Sequence, residues 1–243
     1  MVWKKSSYIS LFILVIFLSA CNGTATSEQI YNHLEKAVEL ENTFEEQQDP
    51  IVKLEQKEQE IYSQIIDLSM EKFDEMKKLS GQALDNIEAR KEKINLEKES
   101  IEASKEEFSN VEGMIKDLEE DATKEKADDM YSVMMDRYDA YDKLHQVYTE
   151  SLTLEEELYK MLQQEDLEQD KLSEHITKLN ESYQKVIDAN QAFNELTTEY
   201  NALKEEFYKA AEIDVEYEGN APKEQEKSTE ESNESGQEKD PDE

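Results

Sequence analysis

Apolar side chains recur every three or four residues from about residue 28 to residue 215, and this spacing predicts a succession of α-helices. A first helix begins at Ser27, which suits the N-cap position, and ends near Gln48. Asp49-Pro50 then reads as a turn that starts a second helix, because Pro is favoured at the first helical position.

The second helix is the longest predicted element and extends to about residue 120, with Ser80-Gly81 as the position where it could bend. Its second half carries one apolar residue every seven residues, a seam formed by Ile87, Ile94, Ile101 and Phe108. Lysines occupy the companion positions of this seam, namely Lys91, Lys98 and Lys105. We expect them to pair with acidic residues of the next helix, which folds back about residue 124 and brings Lys98 near Glu150.

Two further helices are predicted at about 126–163 and 167–212. Folding the last helix onto the third pairs Tyr148 with Tyr183 and Leu158 with Leu172, so apolar residues meet along its length. The predicted fold class is therefore all-α: an elongated, coiled-coil-like antiparallel bundle of three to four helices with one very long helix. The first helix is expected to pack against the first half of the second.

The charge balance narrows the range of functions. Asp and Glu total 61 against 27 Lys and Arg, which gives a formal net charge of −34, and only 5 Gly and 3 Pro occur. Nucleic-acid binding is disfavoured because it requires a basic surface. After residue 215 the apolar periodicity ends, and the acidic segment 216–243 is predicted to be a disordered tail.

The N-terminal segment has the layout of a secretory signal peptide. Lys4 and Lys5 precede an apolar run from Tyr8 to Leu18, which would span roughly 16 Å as a helix and is too short for a hydrocarbon core of about 30 Å. Leu18-Ser19-Ala20-Cys21 resembles the lipobox of bacterial lipoproteins. That resemblance implies that the Cys21 thiol receives a diacylglyceryl group and that residues 1–20 are removed.

These features divide the chain into a signal peptide (1–20), a lipidated tether (21–27), a helical bundle domain (28–215) and the tail (216–243). Cys21 is the single cysteine, so it has no disulfide partner within the chain. The predicted location is the extracytoplasmic face of the cell membrane, where the lipid holds the protein. An ordinary signal peptide with an incidental cysteine is the alternative.

A search for catalytic or metal-binding patterns yields no nucleophile motif, phosphate-binding loop or zinc signature. The three histidines lie beside apolar positions of different helices, so no metal site, cofactor or catalytic residue is predicted: His33, His145 and His175. The most notable cluster is a set of tyrosines on the third helix that could form a partner-binding aromatic surface, or else belong to the core with the hydroxyl groups at its rim. Its members are Tyr131, Tyr138, Tyr141, Tyr148 and Tyr159.

The sequence resembles the YkyA-like family of cell-wall-binding lipoproteins of Gram-positive bacteria. The likeness rests on the segments 18–21, 30–35, 48–51, 96–101 and 138–144. It implies a multihelical fold, membrane attachment through the diacylglyceryl anchor, and peptidoglycan or envelope proteins as partners, and it supplies no catalytic residues. The alternative is a protein–protein scaffold that self-associates, with a second chain completing the thin seam at 87–108.

Overall fold

The computed structural model describes residues 24–68 and 72–215, and the described residues contain α-helices and no strand. All of them except Val215 belong to one compact unit, Leu18–Asp214. The helices are α1 (Thr24–Leu40), α2 (Asn42–Ile66), α3 (Phe73–Ser109), α4 (Val111–Ile115), α5 (Asp121–Met161) and α6 (Gln169–Ala210). The predicted all-α class is confirmed.

The chain forms four antiparallel segments. The first segment, α1 followed by α2, runs along α3 and α4, as shown by the contact of His33 Nδ1 with Glu107 Oε1 at 2.6 Å and the bond from Asn86 Nδ2 to the Leu54 carbonyl at 2.9 Å. α5 then packs antiparallel to α3, and α6 packs antiparallel to α5. The predicted antiparallel bundle of three to four helices is thus confirmed, with four segments.

The lysines of the α3 seam form the predicted pairs across the interface with α5, although with a different register. Lys91 Nζ lies 2.5 Å from Glu156 Oε2, and Lys98 pairs with Asp142 rather than with Glu150. The α3–α5 turn therefore lies a few residues before the predicted position 124, and α5 begins at Asp121.

The predicted very long second helix is divided in the structure. α2 ends at Ile66 and α3 begins at Phe73, so the chain reverses between them, whereas Ser80-Gly81 lies within α3. A reversal here lets α1 and α2 cover the whole α3–α4 segment, and this buries the seam from Ile87 to Phe108 inside the chain. Burial of this apolar seam stabilises the arrangement in which the chain reverses after Ile66.

The predicted turn at Asp49-Pro50 is wrong, because Pro50 lies inside α2. The break between the first two helices is instead at Glu41, where Ser100 of α3 bridges the interruption. The Ser100 hydroxyl donates to the Leu40 carbonyl at 2.6 Å and accepts the Phe44 N–H at 3.1 Å. A side chain from another helix therefore satisfies backbone groups that the break would leave without partners.

The first helix also differs in its start and in its neighbours. It begins at Thr24, within the segment predicted to be a tether, and it packs against α3 and α4 rather than against residues 51–79. No helix among the described residues is sufficiently long and apolar to cross a membrane.

Candidate functional site

Two adjoining cavities lie between α2 and α6, with volumes of about 430 and 910 Å³. They share four lining residues, Glu55, Tyr148, Val186 and Ile187, and we call them together the α2–α6 groove. Helices α3 and α5, together with Glu41 at the break between α1 and α2, supply the remaining lining residues of the groove. Its size is in the range of small-molecule and peptide sites.

Aromatic and aliphatic side chains give the groove an amphipathic lining. Tyr62, Tyr148 and Tyr183 line the smaller cavity. Two large apolar side chains at the groove remain exposed: Val52, which lines the larger cavity, is 47% exposed, and Ile187, which lines both cavities, is 58% exposed. Exposed apolar groups at a concave surface commonly mark a binding site.

A buried ion pair lies in the smaller cavity. Arg90 Nη2 donates to Glu155 Oε2, and Arg90 is only 3% exposed. Burial raises the pKa of Glu155 to about 7, although the charge of Arg90 opposes the rise, and the negative charge of Glu58 adds to it. The nearby Tyr183 hydroxyl, like Arg90, opposes the rise in the pKa of Glu155. The pair is therefore held in a low-dielectric position where each charge depends on the other.

A second buried carboxylate, Glu97, lies in the larger cavity without a cationic partner among the described residues. It is 6% exposed, and its oxygens accept hydrogen bonds from Gln48 Nε2 at 2.6 Å and from the Tyr141 hydroxyl at 3.4 Å. Burial raises the pKa of Glu97 to about 7, and the negative charge of Glu55 adds to the rise. Among the described residues, the Tyr148 hydroxyl is the one hydrogen-bond donor to Glu55, at 2.7 Å.

A bidentate ion pair fixes the far end of the larger cavity. Arg137 of α5 donates to both oxygens of Glu41, at 2.8 Å from Nη1 and at 2.7 Å from Nη2, and Arg137 Nε donates to Thr197 Oγ1 at 2.9 Å. The guanidinium group also lies 4.7 Å from the centre of the Phe193 ring. Arg137 thus connects the break between α1 and α2 to α5 and α6.

Some polar atoms at the groove have no partner within the described part of the chain. They include Arg90 Nε and His145 Nε2, which belong to residues lining the smaller and the larger cavity, respectively. Buried polar atoms normally have hydrogen-bond partners, so these two stand out as unsatisfied groups beside the groove.

The predicted aromatic surface on the third helix is not a surface in the structure. Tyr138, Tyr141 and Tyr159 are buried, and Tyr131 stacks on Phe108 with a centroid distance of 5.4 Å. The other interpretation of these tyrosines, as core residues with bonded hydroxyl groups, is the one the structure shows. Their hydroxyl groups reach partners on other helices, Ser104 for Tyr138 and Glu58 for Tyr159. The exception is Tyr148, which is half-buried and lines both cavities.

The remaining predicted site residues are either separate from one another or outside the described residues. His33 contacts Glu107, and His175 Nε2 lies 2.7 Å from the Leu154 carbonyl, so the histidines are far apart along the bundle. Among residues 24–68 and 72–215, no three His, Cys, Asp or Glu side chains are grouped as metal ligands would be. Cys21 and the lipobox residues Leu18, Ser19 and Ala20 lie outside the described residues.

Sequence analysis did not identify the groove, although the sequence contains one indication of it. Arg90 and Arg137 are the two arginines of the chain, and each follows an apolar residue of its helix by three positions, Ile87 and Met134 respectively. A charged residue on the apolar face of a helix has to be paired or to face a cavity. Which carboxylate would pair with each arginine could not be read from the sequence, because so many acidic residues occur.

Three comparisons relate the chain to known proteins. The sequence profile of the family YkyA, described as "Putative cell-wall binding lipoprotein", matches residues 25–210. The "Uncharacterized lipoprotein YkyA" of Bacillus subtilis (strain 168) is 34% identical over 163 residues, which cover 67% of this chain and 73% of that protein. A crystal structure of "a Conserved Protein of Unknown Function from Staphylococcus aureus" is similar in fold, with a TM-score of 0.55 and 14% identity, over 78% of this chain and 97% of that one.

Proposed function

The chain belongs to the YkyA family, and from this premise we propose that it is a lipid-anchored protein on the outer face of the cell membrane that binds a component of the cell wall without catalysis. Family membership supports the general kind of protein, a lipoprotein. The more specific parts of the proposal are the anchor at Cys21, the peptidoglycan ligand and the binding site.

The proposed anchor rests on the four residues that end the signal peptide, Leu18 to Cys21. In this proposal the thioether at Cys21 carries the lipid, and two acyl chains are enough for stable membrane attachment. The described helices start at Thr24, so the bundle would be close to the membrane surface. The segment that follows residue 215 would remain an acidic tail.

The observation that carries the binding role is the α2–α6 groove. It combines aromatic and aliphatic walls with buried polar groups that have spare bonding capacity. Aromatic faces contact sugar rings and aliphatic stems, and carboxylates and guanidinium groups orient a polar ligand. A bundle packed only for stability would have filled such a space with side chains.

Absence of catalysis is part of the proposal and rests on the composition of the groove. Its carboxylates are bonded to Tyr, Gln and Arg side chains that hold them in place. The groove contains no serine or cysteine bonded to a histidine within the described residues, which is the arrangement that activates a nucleophile. Zymography on purified wall material would contradict this part of the proposal if a cleared band appeared.

The alternative of a self-associating scaffold was based on an apolar seam at 87–108 that a second chain would cover, and this basis is no longer present. The seam residues that a second chain was expected to cover are buried by α1, α2 and α5 of the same chain: Ile87, Ile94, Ile101 and Phe108. Sedimentation at increasing protein concentration tests what remains of this alternative, since self-association would raise the apparent mass.

The test of wall binding uses the chain from Asn22 to Glu243, which retains every described residue. It is mixed with insoluble purified peptidoglycan and sedimented, and the protein in the pellet is measured with and without Mg²⁺. We expect saturable retention in the pellet. Absence of retention under both conditions would show that the proposed wall binding is wrong.

A further inference from the structure

The acidic groups of the α2–α6 groove are not evenly compensated. Arg137 and Arg90 are engaged by Glu41 and Glu155, respectively. By contrast Glu55 and Glu97, which both line the larger cavity, accept hydrogen bonds only from uncharged donors among the described residues. The two carboxylates line the same cavity, and the negative charge of Glu55 adds to the rise in the pKa of Glu97 that burial causes. A cation placed between them would relieve this repulsion.

A second and independent feature lies beside this carboxylate pair. Arg90 lines the smaller cavity and is only 3% exposed. Its Nε atom has no hydrogen-bond partner among the described residues. Nε is a donor that needs an acceptor such as a carbonyl or carboxylate oxygen. The two cavities share Glu55 and Tyr148, so the cation position and the donor belong to one continuous groove.

The walls between these polar positions suit an aliphatic chain. Val52, Val186 and Ile187 offer apolar surface, and the rings of Tyr62 and Tyr148 flank it. A long amine-bearing side chain can lie along such surface while its ammonium group reaches carboxylates. A neutral sugar would leave the charge of Glu55 and Glu97 uncompensated.

We propose that the α2–α6 groove binds a peptide that carries a primary amine on an aliphatic side chain, with the ammonium group between Glu55 and Glu97 and a peptide carbonyl or carboxylate directed to Arg90. This inference rests on the proposed wall-binding function, since the peptide component of peptidoglycan is the part that carries free amines. It narrows the ligand from the wall as a whole to its amine-bearing peptides.

The experiment compares two forms of the same peptidoglycan, one with free amines and one whose amines have been acetylated with acetic anhydride. The Asn22–Glu243 chain is sedimented with each form across a range of protein concentrations. We expect acetylation to weaken binding by at least about tenfold, because the amide that results has no charge for the carboxylates. Equal binding to both forms would overturn this inference and leave wall binding intact, whereas failure to bind either form would overturn the proposed function itself.

Matched variants separate the groove from the general negative charge of the protein. The variant E55Q/E97Q removes the two carboxylate charges proposed to bind the ammonium group while preserving side-chain shape. We expect it to bind unmodified peptidoglycan at least about tenfold more weakly than the parent chain. E92Q/E106Q removes two charges from exposed positions of α3 and should bind as the parent does. Equal loss in both double variants would overturn the proposal, because the effect would then come from net charge. Circular dichroism and thermal melting confirm that each variant is folded.

Discussion

At the scale of single residues, the most informative groups are the buried carboxylates. Glu97 and Glu155 are both largely removed from water, and burial raises the pKa of each to about 7. A carboxylate with a raised pKa in the folded state stabilises the fold while it is protonated. That contribution is complete below the ordinary pKa near 4.5 and is lost as the pH rises through about 7.

The variant E97Q tests this linkage. Because a glutamine cannot ionise, residue 97 should no longer lower the stability of the protein as the pH rises from 5 to 8. The amide oxygen of the glutamine can still accept hydrogen bonds from Gln48 and Tyr141. We expect the free energy of unfolding of E97Q to gain on that of the parent by roughly 2–3 kcal/mol over this range. Urea denaturation at several pH values provides the measurement, and a constant difference at all pH values would contradict it.

Substitution of Glu155 should affect stability differently from substitution of Glu97, because Glu155 is paired with the buried positive charge of Arg90. The variant E155Q leaves the guanidinium group without its counter-charge, and we expect a loss of about 3 kcal/mol in the free energy of unfolding at pH 8. The double variant R90L/E155L should recover most of that loss. Chemical denaturation of the matched single variants R90L and E155L and of the double variant R90L/E155L measures the coupling.

The exposed pair between Glu174 and Lys178 of α6 is a suitable control for this cycle. Since solvent screens both of its charges, K178A should change stability far less than E155Q does. Additive effects at positions 90 and 155 would mean that the two residues do not interact in solution.

At the scale of helices, local sequence predicts where helices form better than where they end. The residues of Ser80-Gly81 are compatible with a bend, yet α3 continues through them. Helix interruptions occur instead at Glu41 and between Ile66 and Phe73, where neither Gly nor Pro is present. Contacts with other helices, such as the bonds of Ser100 to Leu40 and Phe44, account for the first of these.

The variant G81A tests whether α3 is continuous. A Cβ at Gly81 would meet nothing within 4 Å, and the position is helical. Alanine should therefore stabilise the protein by about 0.5–1 kcal/mol, since glycine is the poorer helix former. Gly113 in the short helix α4 has equally open surroundings, and G113A is expected to have a smaller effect. A destabilised G81A, measured by thermal melting, would show that the helix bends there.

At the scale of the whole molecule, the four antiparallel segments bring acidic residues of the first segment opposite α5. Glu41 reaches Arg137, and the carboxylates of Glu55 and Glu58 bond to Tyr148 and Tyr159 of α5. These diagonal contacts cross the bundle between segments distant in sequence. They leave a groove on one side, where α2 and α6 face each other across the two cavities.

The anchor can be tested on the intact protein in cells. We expect C21A to remain unlipidated, because the thiol that forms the thioether is absent, and to appear in the medium or as uncleaved precursor. Metabolic labelling with a fatty acid and fractionation of membrane and medium provide the measurement. C21S keeps the size of the side chain and serves as a second variant, and label incorporated into either would show that lipid is attached elsewhere.

The sequence by itself determined that the protein is helical, that the α3 seam is buried, and that its lysines pair with acids of α5. Each of these follows from side-chain spacing within a single helix, which decides the face that is apolar. Short segments of the sequence also indicated the resemblance to the YkyA family. Lys98 nevertheless pairs with Asp142 instead of the expected Glu150, so this spacing predicts which faces meet but not their exact register.

Only the tertiary structure decided where the chain reverses, which tyrosines are buried, and that a groove forms between α2 and α6. The reversal between Ile66 and Phe73 depends on how much of α3 the preceding helices can cover, a property of segments far apart in sequence. The partner of Arg137 depends on that same choice, because a different reversal would place another residue of the first segment where Glu41 now lies. Long-range packing therefore selects among alternatives that local periodicity leaves equivalent.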